Sequence, residues 1–362
     1  MAIQRIELEK FLMLANEHPV LDVRSPGEYN HAHIPGAFNL PLFSDEERKI
    51  VGTAYKQESR EKAIKIGLKY FGKKMVQMVE ETENIIAASD KKSETENQKS
   101  KIVLVHCWRG GMRSAGVAWL LDLYGFKVYT LVGGYKVFRN WALKQFEKSY
   151  NFNILGGYTG SGKTDLLQVL SKKGEAVIDL EGLAIHKGSA FGAIGLPKQP
   201  SQEMFENLLA TQLNALSNRS DHPIWMEDES QRIGLVNIPP SLWKTMRRSP
   251  VYFLDIPFEE RLNYLTEEYG KLDKEKLLNA VIRIKKRLGG LETKTAVNFL
   301  IEDEIKESFR ILLKYYDKHY LKGLQNREDL RSLLNNIRCE RVDAVKNAET
   351  LLSAAKKISP VS

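Results

Sequence analysis

The stretch Gly157-Tyr158-Thr159-Gly160-Ser161-Gly162-Lys163-Thr164 constrains this chain more than any other part of it. It follows the apolar run Phe152-Asn153-Ile154-Leu155 and precedes a helical pattern over residues 165–170. Gly-x4-Gly-Lys-Thr in that setting is a phosphate loop. A strand turns into a helix, backbone N–H groups wrap phosphate oxygens, Lys163 offsets their charge, and the Thr164 hydroxyl is placed to hold Mg²⁺. The expected phosphate- or diphosphate-binding residues are therefore Gly157, Thr159, Gly160, Ser161, Gly162, Lys163 and Thr164. Such a loop need not hydrolyse a nucleotide, since the same cradle holds the diphosphate of any activated donor.

The sequence around the loop supplies a sheet to carry it. Short apolar runs at 176–179, 223–226 and 251–254 read as further strands, and from Glu259 onward the pattern is mostly helical. Acidic residues follow two of these strands. Glu227 and Asp228 end one as a metal-side strand would, and Asp179 and Glu181 compete for the same role; a surface carboxylate at a strand end is the plain alternative for each. Upstream, Val20-Leu21-Asp22-Val23, residues 36–40, 101–106 and 127–131 read as strands, with a helix over 114–124. Strands alternating with helices imply a parallel α/β sheet here too. Residues 44–100 form a helical and then polar insert whose tail, 89–100, reads as a mobile surface loop. A helix over 141–150 leads into the second unit, so the expected domains are 1–148 and 149–362, with no internal repeat. A chain of 362 residues is long enough for two such cores.

The first unit carries its own chemistry at His106-Cys107-Trp108-Arg109-Gly110-Gly111-Met112-Arg113-Ser114. A buried strand again turns into a helix, which aims backbone N–H groups and the positive end of the helix dipole at one spot. Both lower a thiol pKa, and Arg109 and Arg113 add full charges. Cys107 is therefore the candidate nucleophile, with Arg109 and Arg113 beside it; a buried structural cysteine is the bland alternative. His106 reads as the end of the strand. The other cysteine, Cys339 in Ile337-Arg338-Cys339-Glu340, lacks glycines and a charged cradle and reads as incidental. Two cysteines so far apart exclude a disulfide scaffold and suit a reducing cytoplasm. No apolar run approaches the length of a membrane span, and the first residues lack the apolar core of a secretory signal. The 54 basic against 46 acidic residues give a net charge of +8, which permits nucleic-acid binding without demanding it.

The Cys107 loop, with Asp22-Val23-Arg24-Ser25-Pro26-Gly27-Glu28-Tyr29 and His33-Ile34-Pro35-Gly36-Ala37, resembles the rhodanese family of sulfurtransferases. That resemblance implies a rhodanese-like parallel sheet with helices, a persulfide-carrying Cys107, and fold-stabilising roles for Asp22 and Arg24. Ala32 stands where the family pattern has glycine. Cys107 to Arg113 is Cys-x5-Arg, one longer than many rhodanese loops and equal to the spacing in phosphatases of this fold. Loop length alone leaves sulfur or selenium transfer and phosphate-ester hydrolysis both open.

A rhodanese-like half fused to a P-loop NTPase-like half, with a helical C-terminal region, resembles the tRNA 2-selenouridine synthases over nearly the whole chain. Further stretches carry that likeness: Glu46-Glu47-Arg48-Lys49-Ile50-Val51-Gly52-Thr53-Ala54-Tyr55-Lys56-Gln57, Gly133-Gly134-Tyr135-Lys136-Val137-Phe138-Arg139, Asp179-Leu180-Glu181-Gly182-Leu183-Ala184, His186-Lys187-Gly188-Ser189-Ala190-Phe191-Gly192 and Glu227-Asp228-Glu229-Ser230. The resemblance implies a cytoplasmic enzyme that exchanges sulfur for selenium on wobble 2-thiouridine of tRNAs for Lys, Glu and Gln. It implies selenophosphate and geranyl diphosphate as co-substrates, an S-geranylated intermediate, Mg²⁺, no permanently bound cofactor, and selenophosphate synthase as the upstream supplier. For the geranyl chain the sequence offers Phe191, Ile194, Leu196, Met204 and Phe205, which read more simply as core. For tRNA it offers Arg232, Lys244, Arg247, Arg248, Arg283, Lys285, Lys286 and Arg287. Trp225 and Trp243 are possible stacking partners, each more simply a core residue. The alternatives are a rhodanese-type sulfurtransferase with a regulatory nucleotide-binding domain, a phosphatase fused to a kinase, and a tRNA-binding module. A phosphatase needs a general acid, and none of Asp22, Glu28 or Asp122 is placed by the sequence to serve.

Overall fold

A computed structural model of the chain describes residues 3–90, 101–217 and 222–358. The chain divides into two compact units, Met1–Lys144 and Gln145–Ser362. In the first, strands β1 (Gln4–Ile6), β2 (Val20–Asp22), β3 (Phe38–Asn39), β4 (Ile102–His106) and β5 (Lys127–Leu131) form one sheet in the order β1-β5-β4-β2-β3. Every pairing is parallel. A parallel sheet must be covered on both faces, which is why β4 reads Ile-Val-Leu-Val-His and is buried over its last four residues. The edge strand β1 has a mixed sequence and is absent from the sequence-based expectation.

The insert is part of this core. Its helices, Asp45–Gln57 and Arg60–Asp90, place Phe71, Met78, Val79 and Ile86 against Leu21, Val105, Val117 and Leu121. Each such burial is worth about 1.5–3 kcal/mol. Ser44 starts the first helix with a capping box, its Oγ accepting from Glu47 N–H while Glu47 accepts from Ser44 N–H. Most of the polar tail expected to be a surface loop, 91–100, lies outside the described residues, and residues 89 and 90 continue the helix. The helix expected over 141–150 runs instead over Gly134–Gln145. The Tyr150 hydroxyl donates to the Gln145 carbonyl at 2.8 Å and so satisfies one of the orphan carbonyls at its end.

The second unit repeats the plan. Strands β6 (Phe152–Gly157), β7 (Val177–Ile178) and β8 (Ile224–Glu227) are followed by the antiparallel pair β9 (Arg232–Ile233) and β10 (Val236–Asn237). Then come β11 (Val251–Asp255) and β12 (Leu334–Arg338), and the parallel sheet runs β12-β11-β6-β8-β7. The mostly helical pattern beyond Glu259 therefore conceals an edge strand, β12, which pairs with β11 along its whole length. One core packs Leu155, Leu166, Leu167, Trp225, Tyr252 and Leu351 around the sheet, and another packs Leu262, Leu277, Leu300, Phe309 and Leu312 among the later helices. Among the described residues no helix is long and apolar enough to cross a membrane.

The first unit turns on a buried ion pair. Arg24 Nη2 reaches Asp22 Oδ2 at 2.6 Å and the Ala32 carbonyl at 2.7 Å, with the side chains 1 % and 0 % exposed. The guanidinium also lies 4.0 Å from the Tyr135 ring centroid. Burial works against the Asp22 charge, but His106 and the Arg24 bonds outweigh it and hold the carboxyl below its ordinary 3.8. That contribution is complete above 3.8 and fades as pH falls through the lower folded value. Asp22→Ala should remove about 3–5 kcal/mol of protection. Hydrogen exchange read by mass spectrometry should show it in peptides from β2 and β4, with β6 and β8 unchanged.

Candidate active sites

In each unit the reactive loop leaves the carboxyl end of the middle strand, the place where parallel sheets open a crevice. Cys107 follows β4, and the Met112–Tyr124 helix begins five residues later. The loop closes against Gly134, whose φ is +60° and where a Cβ would stand 2.5 Å from Gly110 N. Tyr135 N–H donates to the Cys107 carbonyl at 2.9 Å, and Lys136 N–H to the Trp108 carbonyl at 3.0 Å. These bonds give the Gly133-Gly134-Tyr135-Lys136 stretch its purpose: it is the floor of the thiol loop.

Cys107 is 3 % exposed, and its Sγ stands 3.3 Å from Ser114 Oγ. Burial pushes the thiol up. Ser114 Oγ, the Arg113 charge and the backbone N–H groups of Ser114 and Arg109 outweigh it, and the net shift is downward. Arg113 is fixed by Glu28, Nη1 to Oε2 at 2.5 Å, while Arg109 is exposed. Glu28 was considered above as an acid; burial raises its pKa, but Arg113 and the Ser25 N–H overcome that and hold it ionised. An ionised carboxylate cannot protonate a leaving group, which weakens the phosphatase alternative. His106 ends β4 fully buried, and that burial lowers its pKa against the opposing pull of the Asp22 charge. Cys339 follows β12, and burial with the Asp255 charge pushes its thiol up to about 11.

The second loop is held from behind by residues that sequence spacing did not single out. Arg261, 3 % exposed, donates to the Thr159 carbonyl at 3.0 Å and is itself clamped by Asp317 at 2.9 and 2.8 Å. Gly160, with φ +80°, lies so close that a Cβ would stand 2.9 Å from the Arg261 carbonyl oxygen. Gly157 N–H donates to the Tyr320 hydroxyl at 3.1 Å, and Tyr320 donates onward to Asp228 Oδ2 at 2.8 Å. Asp228 Oδ1 accepts from Arg327. Lys163 opens the Lys163–Lys172 helix, and its Nζ donates to the Gly157 carbonyl at 3.1 Å. Ser161 turns inward, its Oγ donating to the Tyr158 carbonyl at 2.6 Å, so its side chain shapes the loop.

The loop opens on a cavity of about 1010 Å³. Thr159 to Thr164 and Glu181 line one side, and Trp243, Lys244, Arg247 and Arg248 line another. Thr164 Oγ1 donates to Glu181 Oε2 at 3.2 Å. Of the other three carboxylates named from the sequence, none presents a free carboxylate to the cavity. Asp179 caps the short Leu180–Ala184 helix, accepting from Gly182 N–H at 2.7 Å. Glu227 is buried at the end of β8 and accepts from Glu181 N–H at 2.7 Å. Asp228 lines the cavity but spends its oxygens on Arg327 and Tyr320. Glu229, which the sequence reading did not select, does line it. Burial and then the Glu181 charge push Glu229 well up, and burial also raises Glu181 against the pull of Lys163. A hydrogen bond between the two raises Glu229 further and favours the ionised form of Glu181.

The remaining expectations divide. Trp243 lines the cavity, whereas Trp225 is 1 % exposed and packs on Tyr252 in the core. Lys244, Arg247 and Arg248 line the cavity; Arg232, Arg283, Lys285, Lys286 and Arg287 are exposed and do not. Phe191 borders a small apolar cavity of about 30 Å³ with Thr159, Leu265, Tyr269 and Phe309. Ile194, Leu196, Met204 and Phe205 do not border it, and Phe205 is fully buried core.

The geometry defines a chain with a rhodanese-like thiol unit and a phosphate-loop unit, and sequence comparison agrees. A family model described as "Rhodanese-like domain" matches residues 6–140, and one described as "tRNA 2-selenouridine synthase AAA domain" matches 150–348. Proteins named "tRNA 2-selenouridine synthase" are similar along most of their length. The one from Sulfurovum sp. (strain NBC37-1) is 34% identical over 343 residues, 85% of this chain and 89% of its own. That from Bdellovibrio bacteriovorus is 32% identical over 376 residues, 90% of this chain and 94% of its own. The chain belongs to the tRNA 2-selenouridine synthase family.

Two tests follow from these sites. Near neutral pH, iodoacetamide should modify Cys107 well before Cys339, as read by peptide mass spectrometry; equal rates would contradict the lowered thiol. Tyr320→Phe leaves the Gly157 N–H without its partner. Titration calorimetry with Mg²⁺ and inorganic diphosphate should show affinity weakened by about 1–3 kcal/mol.

Proposed function

We propose that this chain is a tRNA-modifying selenotransferase that replaces the 2-thio sulfur of wobble uridine 34 by selenium, acting in the cytoplasm on tRNAs for Lys, Glu and Gln. The observation that carries the reading is the pairing, in one chain of this family, of a thiol with a lowered pKa and a phosphate loop opening on a large cavity lined by both basic and acidic side chains. Relatives that match nearly end to end bear the name tRNA 2-selenouridine synthase.

The two chemistries fit one sequence of steps. A thiocarbonyl sulfur leaves poorly, so it is first alkylated. The sulfur attacks C1 of geranyl diphosphate, a C–S bond forms, the C–O bond breaks, and the electron pair departs with diphosphate. Lys163 and the N–H groups at the start of its helix are suited to hold that growing charge. A selenium nucleophile derived from selenophosphate then adds at C2 of the base, and the geranyl thiolate departs. Cys107 lies beside the selenophosphate bound by Arg109, Arg113 and the loop amides; attack of water at phosphorus breaks the P–Se bond, and phosphate and hydrogen selenide leave with no change of oxidation state. A selenophosphate synthase would supply the donor.

Among the described residues no cluster of three His, Cys, Asp or Glu forms a metal site. Mg²⁺ keeps most of its waters and takes substrate phosphate oxygens, so the Thr164 hydroxyl and Glu181 suit it as hard oxygen ligands. The ion would neutralise diphosphate charge. The apolar cavity beside Thr159 is too small for a geranyl chain as it stands, and Phe191, Leu265 and Tyr269 would have to part to admit one. Lys244, Arg247 and Arg248 suit the tRNA backbone, and Trp243 suits a splayed base.

Mass spectrometry of nucleosides from 2-thiouridine tRNA incubated with the protein, Mg²⁺, geranyl diphosphate and selenophosphate tests the proposal. Wild type should give selenouridine, Cys107→Ala should accumulate geranylated thiouridine, and Lys163→Ala should give neither. Geranylation at the normal rate by Lys163→Ala would remove that step from the phosphate loop. Thiosulfate sulfur transfer without selenouridine would favour a sulfurtransferase regulated by nucleotide.

A further inference from the structure

Arg48 belongs to the Glu46–Gln57 stretch that carries the family likeness, yet none of the chemistry above uses it. It lies on the Asp45–Gln57 helix of the insert, within the same unit as Cys107. Its guanidinium lies beside the Glu28–Arg113 pair that borders the thiol loop. Arg48 Nε stands 3.7 Å from Glu28 Oε2, and that same oxygen accepts from Arg113 Nη1 at 2.5 Å and from Ser25 N–H at 3.1 Å. Gly52, one helical turn on, makes the room, since a Cβ there would stand 2.6 Å from Arg48 Nη1.

Two features of this arrangement point to a missing acceptor. Arg48 Nε is shut off from solvent and has no hydrogen-bond partner among the described residues, which is costly for a charged donor. Two guanidinium groups also share one carboxylate, so Glu28 balances only one of their charges. The like charge of Arg113 depresses the Arg48 pKa further than burial alone, while Glu28 and the Cys107 thiolate pull the other way. The Arg48 side chain is 38 % exposed, so its outer nitrogens meet solvent, while the shut-off Nε faces the site where the thiolate or an anion beside it would complete the balance.

We infer that Arg48 and Arg113 together form the binding site for a small tetrahedral oxyanion at the Cys107 loop, a phosphate or a phosphate bearing one sulfur or selenium. Glu28 is the internal carboxylate that holds both guanidiniums in its absence. The inference rests on Cys107 being the reacting thiol. It assigns the insert a purpose beyond its share of the core: the helix after Ser44 delivers a donor that neither the strands nor the loop can supply. Arginine suits the position because its fork can give Nε–H and Nη–H to two oxygens of one anion.

The test uses the full-length chain with Cys339→Ser, inorganic phosphate as the probe, and iodoacetamide modification of Cys107 as the readout. Phosphate should slow modification of the parent protein. Arg48→Gln should require about tenfold more phosphate for the same protection, consistent with losing a charge-assisted bond. Arg48→Lys should recover part of the loss, because the charge returns without the fork. Glu28→Gln should lower the phosphate requirement, since the competing carboxylate is gone, whereas a merely structural role for Glu28 predicts no such gain. If Arg48→Gln fails to fold by circular dichroism, the Lys and Glu28 variants decide the matter. Unaltered protection in Arg48→Gln or in both of those variants, or none in the parent, overturns the inference. Selenouridine formation by Cys107→Ser would instead remove the reading on which it rests, a result that phosphate protection cannot mimic.

Discussion

Everything reactive in this chain depends on a strand that must stop in the middle of a parallel sheet. β4 and β6 each lie between two parallel neighbours and are covered on both faces, so their backbone groups are spent on the ladder until the last residue. Beyond that point the chain leaves the sheet and enters a helix whose first N–H groups have no partner within it. The surplus donors are what bind anions. Glycines with positive φ let the turn close without a Cβ, and the neighbouring backbone fills the space. At Gly134 that neighbour is the Cys107 loop; at Gly160 it is Arg261.

What could be read in the sequence follows from this dependence. The central strands are continuous apolar runs and their loops are contiguous, so Cys107 and the Gly157–Thr164 stretch were legible together with the sheets behind them. The edges were not. β12 reads Leu-Asn-Asn-Ile-Arg and is held by pairing with β11, so its residues need little apolar character. The supports of the phosphate loop were also silent. Tyr320 and Arg261 come from helices and Arg327 from the bend after one, all more than 90 residues downstream, and no local spacing links them to Gly157 or Asp228. Asp228 shows the cost of reading strand ends alone. Its position suggests a metal-side carboxylate, but Arg327 and Tyr320 use it to fix the loop. Apolar candidates fail for a related reason, since Phe205 in a core and Phe191 beside a cavity have the same periodicity.

The insert illustrates a different limit. Its helical pattern was plain, and so was the polar character of its tail, but sequence gives no reason to connect residue 48 with residue 107. The connection is made by packing. Phe71, Met78 and Ile86 seat the long helix in the core, the Ser44 capping box sets where the shorter one starts, and Arg48 then falls beside Glu28. The insert and the Cys107 loop therefore stand or fall as one structure.

The two sites are set in opposite electrostatic states, and each state suits an anion. At Cys107 cations exceed carboxylates, and the thiol pKa is drawn down against the effect of burial. At the phosphate loop carboxyl groups crowd a buried space, and their pKa values are pushed up. Burial with the Asp179 and Glu181 charges raises Glu227, and burial with Glu181 raises Glu229. A diphosphate entering beside Lys163 would be repelled by three ionised glutamates at this range. The upward shifts favour the neutral carboxyl forms, which oppose a diphosphate beside Lys163 less than the charged forms would. The protons of those neutral forms would be released if a divalent cation took a place at Glu181, because the cation then balances the charge that the proton had suppressed. Proton and cation are thus alternative ways of making one acidic cluster tolerable beside one anionic ligand, which reconciles a glutamate-rich wall with a loop built to hold phosphate.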